Sequence, residues 1–241
     1  MTNNTPQDTL IGHLTELRKR VVRSLLAIGL GAVVGLVFCK QLYRILQVPM
    51  LKALPEGSFF IATTPFESYI TYFKVSLLAG LFVASPFVFY QLWRFVAPGL
   101  EPREKKYLLP ASFVSALLFT GGALFGYFVV FPAGFYYVSL VMNDTAIRLL
   151  PKMSDYLGLS VMMLLAFGIT FELPLFIFIA GKLGLIDYGF IKRNRRYVIV
   201  ALFVLAAILT PGPDVLSQLL LALPLWALFE VGGLTLLMIR H

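Results

Sequence analysis

The side chains that could do chemistry in this 241-residue chain are few, and the informative ones are isolated carboxylates: Glu16, Glu101, Glu104 and Glu172. Glu16 stands among cations in His13-Leu14-Thr15-Glu16-Leu17-Arg18-Lys19-Arg20. It reads either as an i to i+4 partner of Arg20, worth a few tenths of a kcal/mol, or as a functional acid. Glu104 follows Pro102 and Arg103. It is either a first-turn acid that satisfies a helix dipole opened by the proline or, again, functional. Glu172 sits in Phe167-Gly168-Ile169-Thr170-Phe171-Glu172-Leu173-Pro174, inside an apolar run. An acid at that depth costs about 2.5–3.5 kcal/mol or more. It is either a protonated carboxyl bonded to Thr170 or a neighbouring helix, or a functional group.

Enzyme chemistry finds little material. The histidines are His13 and His241, and no H-E-x-x-H, P-loop or G-x-S-x-G pattern occurs. No histidine falls in an apolar run, so a Ser–His or Cys–His pair within the membrane is excluded. The lone Cys39 excludes an intramolecular disulfide and a cysteine metal cluster. No cofactor is expected, no metal site, and no catalytic activity.

The elements that must carry these acids are membrane helices. The chain is 59% hydrophobic and 13% charged, and apolar stretches near twenty residues recur. The expected class is all-α and polytopic: one domain of six transmembrane helices at about 21–39, 70–93, 108–131, 157–180, 197–210 and 215–238. A cytoplasmic amphipathic helix is predicted over 6–20. Thr5 caps it, Pro6 opens it, and Leu10, Leu14, Leu17 and Val21 share a face. No small-x-small cleavage site closes the first apolar run, so that span is expected to stay in the mature protein.

The net charge of +8 is gathered in short clusters between spans. Arg18, Lys19, Arg20, Arg23, Arg94, Arg103, Lys105, Lys106, Lys182, Lys192, Arg193, Arg195, Arg196 and Arg240 fall on one side, which the positive-inside rule makes cytoplasmic. Both termini then face the cytoplasm. Loops 40–69 and 132–156 face outward, punctuated by Pro49, Pro55, Pro65, Pro132 and Pro151, so short helices and turns are expected there.

Two spans are peculiar. The fifth has about fourteen apolar residues, roughly 21 Å of helix against a hydrocarbon core of about 30 Å. The sixth is interrupted by Pro224 and carries Glu230. Either these helices are sheltered by neighbours or the bilayer thins around them. Gly31–Gly35 and Gly122–Gly126 have the small-xxx-small spacing of close helix packing.

Several stretches together resemble the TatC family, the signal-peptide receptor subunit of the twin-arginine (Sec-independent) protein translocase. They are His13 to Arg20, Pro65-Phe66-Glu67-Ser68, Ser85-Pro86, Tyr90-Gln91-Leu92-Trp93, Phe95 to Leu100 with Glu104, Phe167-Gly168 with Phe171 to Pro174, and Thr210-Pro211 with Pro213-Asp214. They recur in order over nearly the whole chain. The resemblance implies six helices in a cupped arrangement with short fifth and sixth spans, in the bacterial cytoplasmic (inner) membrane. It implies a receptor that binds the paired arginines of signal peptides and starts export of folded proteins driven by the proton-motive force, without nucleotide.

Carried over residue by residue, Glu16 and Glu104 match acids at the signal-binding surface. Guanidinium meets a carboxylate in a two-pronged pair that lysine cannot copy. Phe95 packs on the signal's apolar residue or anchors the loop. Glu172 matches a buried acid on the fourth helix, implied to make a polar contact with the inserted signal or a partner helix. Pro49 and Asp214 match outward positions, where loop geometry is the implied role. The implied partners are signal peptides of folded cargo, single-span subunits of the TatA and TatB types, and further copies of the chain in a homo-oligomer; no nucleic acid is implied.

The chain also departs from the pattern. Gly99 and Pro102 stiffen the first cytoplasmic loop, and Glu101 adds an acid beside Glu104, so either could meet an arginine. Gly212 separates Pro211 from Pro213, and almost no tail follows the sixth span before His241. A secondary transporter with an intramembrane acidic site is the alternative. It would show an internal repeat and several polar groups at mid-depth, and the sequence offers Glu172 alone.

Overall fold

The computed structural model describes residues 6–54, 59–96, 108–143, 150–209 and 215–237. These are almost wholly helical. α1 runs Pro6–Val37, α2 Cys39–Ala53 and α3 Glu67–Val96. α4 (Leu108–Phe125) passes through a π-turn (Gly126–Val130) into α5 (Phe131–Asn143). α6 (Met153–Phe171) and α7 (Leu173–Lys182) follow, then α8 (Tyr188–Leu209) and α9 (Val215–Leu236). Among the described residues there is no strand, only a parallel bridge between Ile61 and Lys152.

Five of these stretches are long and apolar enough to cross a membrane: Gly12–Val37, Glu67–Val96, Leu108–Tyr137, Met153–Lys182 and Gln218–Leu236. The expected fifth span is not among them. α8 does form, but Lys192, Arg193, Arg195 and Arg196 occupy its first turns, so its apolar part starts only at Tyr197.

Other boundaries also differ from expectation. The amphipathic helix and the first span are one continuous α1, because nothing between Arg20 and Val21 breaks helical geometry; Thr5 lies outside the described residues. α2 fills the first half of the predicted loop 40–69, with Pro49 inside it. The third span continues past 131 to Tyr137, and its helix reaches Asn143. Pro132 falls in the first turn of α5, directly after the π-turn. The π-turn ahead of it closes with Phe131 N–H donating to the Gly126 carbonyl. The fourth span breaks at Glu172, since Pro174 cannot donate to the Thr170 carbonyl and α7 must restart beside it.

Two compact units divide the chain. In the unit formed by Met1–Cys39 and Tyr72–Leu117, α1 meets α3 along backbone. A Cβ on Gly80 would lie 2.5 Å from the Ile28 carbonyl oxygen, and one on Gly35 would lie 2.9 Å from that of Ser76. These small residues let two backbones touch, as the Gly31–Gly35 spacing predicted. Trp93 is buried and donates its Nε1–H to Ser115 Oγ at 2.9 Å. Pro86 lies inside α3 and leaves the Phe82 carbonyl without its helical donor; Ser85 Oγ donates to that oxygen at 2.7 Å.

In the unit formed by Lys40–Thr71 and Leu118–His241, the core is aromatic. Phe60, Tyr156, Phe135, Phe131 and Tyr127 form a chain of ring contacts with centroids 5.0 to 6.3 Å apart. Gly122 presses on α6, where a Cβ would collide with the Phe167 carbonyl oxygen. α7 and α8 both pack on α9. The charge of Glu230 within α9 is met by Arg195 Nε–H and by Trp226 Nε1–H at 2.9 Å, both donating to Oε1. Pro224 leaves α9 unbroken.

Glu67, the first residue of α3, ties this second unit together. It is 5% exposed. Oε2 accepts from Thr63 N–H at 2.6 Å, Thr63 Oγ1–H at 3.1 Å and Thr64 N–H at 3.3 Å. Oε1 accepts from Ser154 N–H at 2.9 Å. Its backbone side is the capping-box spacing Thr64-x-x-Glu67. Its far side satisfies a first-turn N–H of α6, whose own cap position, Lys152, offers no side-chain bond. Ile61 N–H to Pro151 O and Met153 N–H to Ile61 O, both 3.0 Å, complete the clasp.

Candidate functional site

Glu16 occupies the polar side of α1, one turn before Arg20. Arg20 donates Nε–H to Glu16 Oε1 at 3.1 Å and donates Nη2–H to the same oxygen. It also donates Nη1–H to Gln91 Oε1 of α3 at 3.3 Å. The Glu16 side chain stays 36% exposed while Arg20 is 12% exposed. Arg20 is therefore the anchored member, and the carboxylate faces outward from it. His13 and Arg94 also act on Glu16 electrostatically. Arg94 lies 5.9 Å from the centre of the Tyr90 ring, over its face.

Phe95 is half-buried in the last turn of α3, one turn beyond Gln91. Arg18, Lys19 and Arg23 are exposed. Within this one unit the structure thus gathers Glu16, its guanidinium partner and an amide that steadies that partner, with Phe95 further along the helix that carries the amide. Glu101, Glu104 and Asp214 lie outside the described residues. Sequence reasoning missed Gln91 as an anchor because 71 residues separate it from Arg20.

Glu172 is 2% exposed, at the joint between α6 and α7. The Thr170 hydroxyl donates to the Ala166 carbonyl at 2.7 Å. Pro49 is buried within α2, a short helix of the kind expected in the outward loop 40–69. No grouping of three or more His, Cys, Asp or Glu placed to hold a metal ion occurs among the described residues.

The almost wholly helical architecture of the described residues and their recurring apolar spans define a multi-pass membrane protein. Residues 12–224 match the family model described as Sec-independent protein translocase protein (TatC). A relative of that name from Desulforapulum autotrophicum is 45% identical over 220 residues, covering 91% of this chain and 81% of the relative. One from Azotobacter chroococcum is 40% identical over 232 residues, covering 96% and 90%. A solved structure described as the crystal structure of the twin-arginine translocase receptor TatC superposes with a TM-score of 0.83 at 35% identity, over 94% of this chain and 98% of that one. The chain belongs to the TatC family, and is a component of a Sec-independent protein translocase.

Proposed function

We propose that this chain is the receptor and core component of a twin-arginine translocase in the bacterial inner membrane. It binds the paired arginines of signal peptides at its cytoplasmic face and initiates export of folded proteins driven by the proton-motive force. The proposed topology has six spans in a cupped arrangement, α8 being the fifth, with both termini cytoplasmic; the clustering of basic residues supports it. Single-span subunits of the TatA and TatB types and further copies of the chain are the proposed partners, and Glu172 makes a polar contact with the inserted signal or a partner helix.

One observation supports this reading above the others: Glu16 is a half-exposed carboxylate already engaged with a guanidinium. An arriving signal arginine meets an acceptor suited to its own group, and Arg20, held by Gln91, remains placed when the carboxylate turns to the newcomer. Glu104, or Glu101 beside it, is proposed to take the second arginine, with Phe95 against the signal's apolar residue.

The test is binding of a twin-arginine signal peptide to the purified double variant Glu16→Ala, Glu104→Ala. Each charge-assisted bond is worth about 1.5–3 kcal/mol, so losing both lowers affinity at least about a hundredfold. A twin-lysine peptide should bind the unaltered protein as poorly as the arginine peptide binds the variant. Undiminished binding by a folded double variant would overturn the proposed site.

A further inference from the structure

We propose that Tyr127 is a positioning residue whose hydroxyl holds α2 by donating to the one backbone carbonyl that Pro49 releases. In an α-helix the N–H of residue 49 would donate to the carbonyl of Ile45. Proline has no N–H, so Pro49, inside α2, removes that donor. Tyr127 Oη–H donates to that same carbonyl oxygen at 2.6 Å, from 82 residues away. The pairing is specific to the atom the proline exposes.

Two further observations support the pairing as a device rather than an accident of packing. The released carbonyl at Pro86, that of Phe82, is likewise met by a hydroxyl, that of Ser85. There the donor is local; at Pro49 it comes from another element, so the bond fixes α2 in space as well as satisfying it. Tyr127 also lies in the π-turn, where an i to i+5 bond closes between Phe131 and Gly126. A π-turn inserts one residue and rotates the side chains that follow its start, and this one aims Tyr127 at α2. Gly126 seats the turn on α6, where its Cβ would lie 3.1 Å from the Phe167 ring.

Tyr156 provides the internal control. Its hydroxyl donates to the carbonyl of Leu46, the residue next to Ile45. The helical donor position for Leu46 is Met50, which unlike proline carries an N–H, so Tyr156 does not stand in for a donor that the sequence removes. Tyr127 and Tyr156 thus hold adjacent carbonyls of one helix, and only Tyr127 depends on Pro49. The inference stands apart from the translocase reading, since its readout is the stability of α2 and not transport.

The experiment is a mutant cycle of Tyr127→Phe and Pro49→Ala in the full chain in detergent, read by hydrogen exchange of the α2 amides. Tyr127→Phe keeps the ring and removes the hydroxyl. Alone it speeds exchange in α2 about fivefold or more, the loss of one bond that leaves a carbonyl unsatisfied. In the Pro49→Ala background an N–H again reaches the Ile45 carbonyl, and the same change has less than about a twofold effect. Tyr156→Phe shows the same effect in both backgrounds. Equal effects of Tyr127→Phe with proline or alanine at this position would overturn the proposal, because a packing role does not depend on an N–H there. If Pro49→Ala does not fold, the amide band of an isotope-labelled Ile45 carbonyl decides: it shifts on Tyr127→Phe, and an unmoved band refutes the bond.

Discussion

Replacing Glu67 by glutamine tests whether the clasp between the start of α3 and the first turn of α6 stabilises the protein as its geometry implies. The carboxylate accepts three donors on Oε2 and one on Oε1, all from protein groups, at 5% exposure. Glutamine keeps one acceptor oxygen. If that oxygen serves Thr63 and Thr64, the new NH2 faces Ser154 N–H, donor against donor. The charge-assisted bond to Ser154 is lost and its N–H is left unsatisfied, together costing about 3 kcal/mol. At about 2–4 °C per kcal/mol for a chain of this size, the unfolding midpoint in detergent falls by about 6–12 °C. Circular dichroism on the purified variant measures this directly. Glu67→Ala removes the acceptors on both sides and falls further. Asp155→Asn, an exposed acid in the same turn of α6, stays within about 0.5 kcal/mol of the unaltered protein. A drop below about 2 °C for Glu67→Gln, or one matched by Asp155→Asn, would show that the four bonds add nothing net and the reasoning fails.

Neighbouring glycines of α4 should respond oppositely to alanine in the same assay. At Gly122 the new Cβ would collide with the Phe167 carbonyl oxygen and lie 2.8 Å from Phe171 Cβ, costing about 1–3 kcal/mol by overpacking. At Gly121 nothing lies within 4 Å, so alanine raises stability by up to about 1 kcal/mol; destabilisation there would contradict the packing described. Glu172→Gln should leave folding and signal-peptide binding intact while slowing export of a twin-arginine substrate in cells, and unaltered export would assign Glu172 a purely structural role.

What the sequence made legible follows from the range of each interaction. The i to i+4 pair of Glu16 and Arg20 could be read from spacing alone, and so could the glycine pairs that pack. The Thr64-x-x-Glu67 spacing was equally readable as a cap, but not the reach of the same carboxylate to Ser154, 87 residues on. Prolines were legible only in part: short helices were expected in the outward loops, but not helices that run through or around the prolines themselves. Pro49 and Pro132 read as loop punctuation because a missing N–H usually ends a helix. Yet α2 continues through Pro49 with a tyrosine hydroxyl on the Ile45 carbonyl, and α5 starts around Pro132 after a π-turn. Both solutions draw on residues far off or on a local change of helical period, and neither leaves a mark in hydrophobic periodicity. The cationic collar of α1 misled in another way. Arg18 to Arg23 marked an interface between water and lipid, and that interface was taken for an end of helix, whereas backbone geometry ignores the boundary.

The seam between α1 and α3 divides α1 into two faces under unlike constraints. Leu25, Leu26, Leu30, Val33, Val34 and Val37 point away from the protein, while Ala32 is buried and Gly31 and Gly35 abut the backbone of α3. Greasy side chains of almost any shape serve equally well against fluid acyl chains, so the outward face tolerates drift among Leu, Val, Ile and Phe. The inward face admits nothing larger than the residues it has. A saturation library across this helix would therefore sort by bulk on one side and by polarity alone on the other, and the border between the two would trace the line along which the helix is moored.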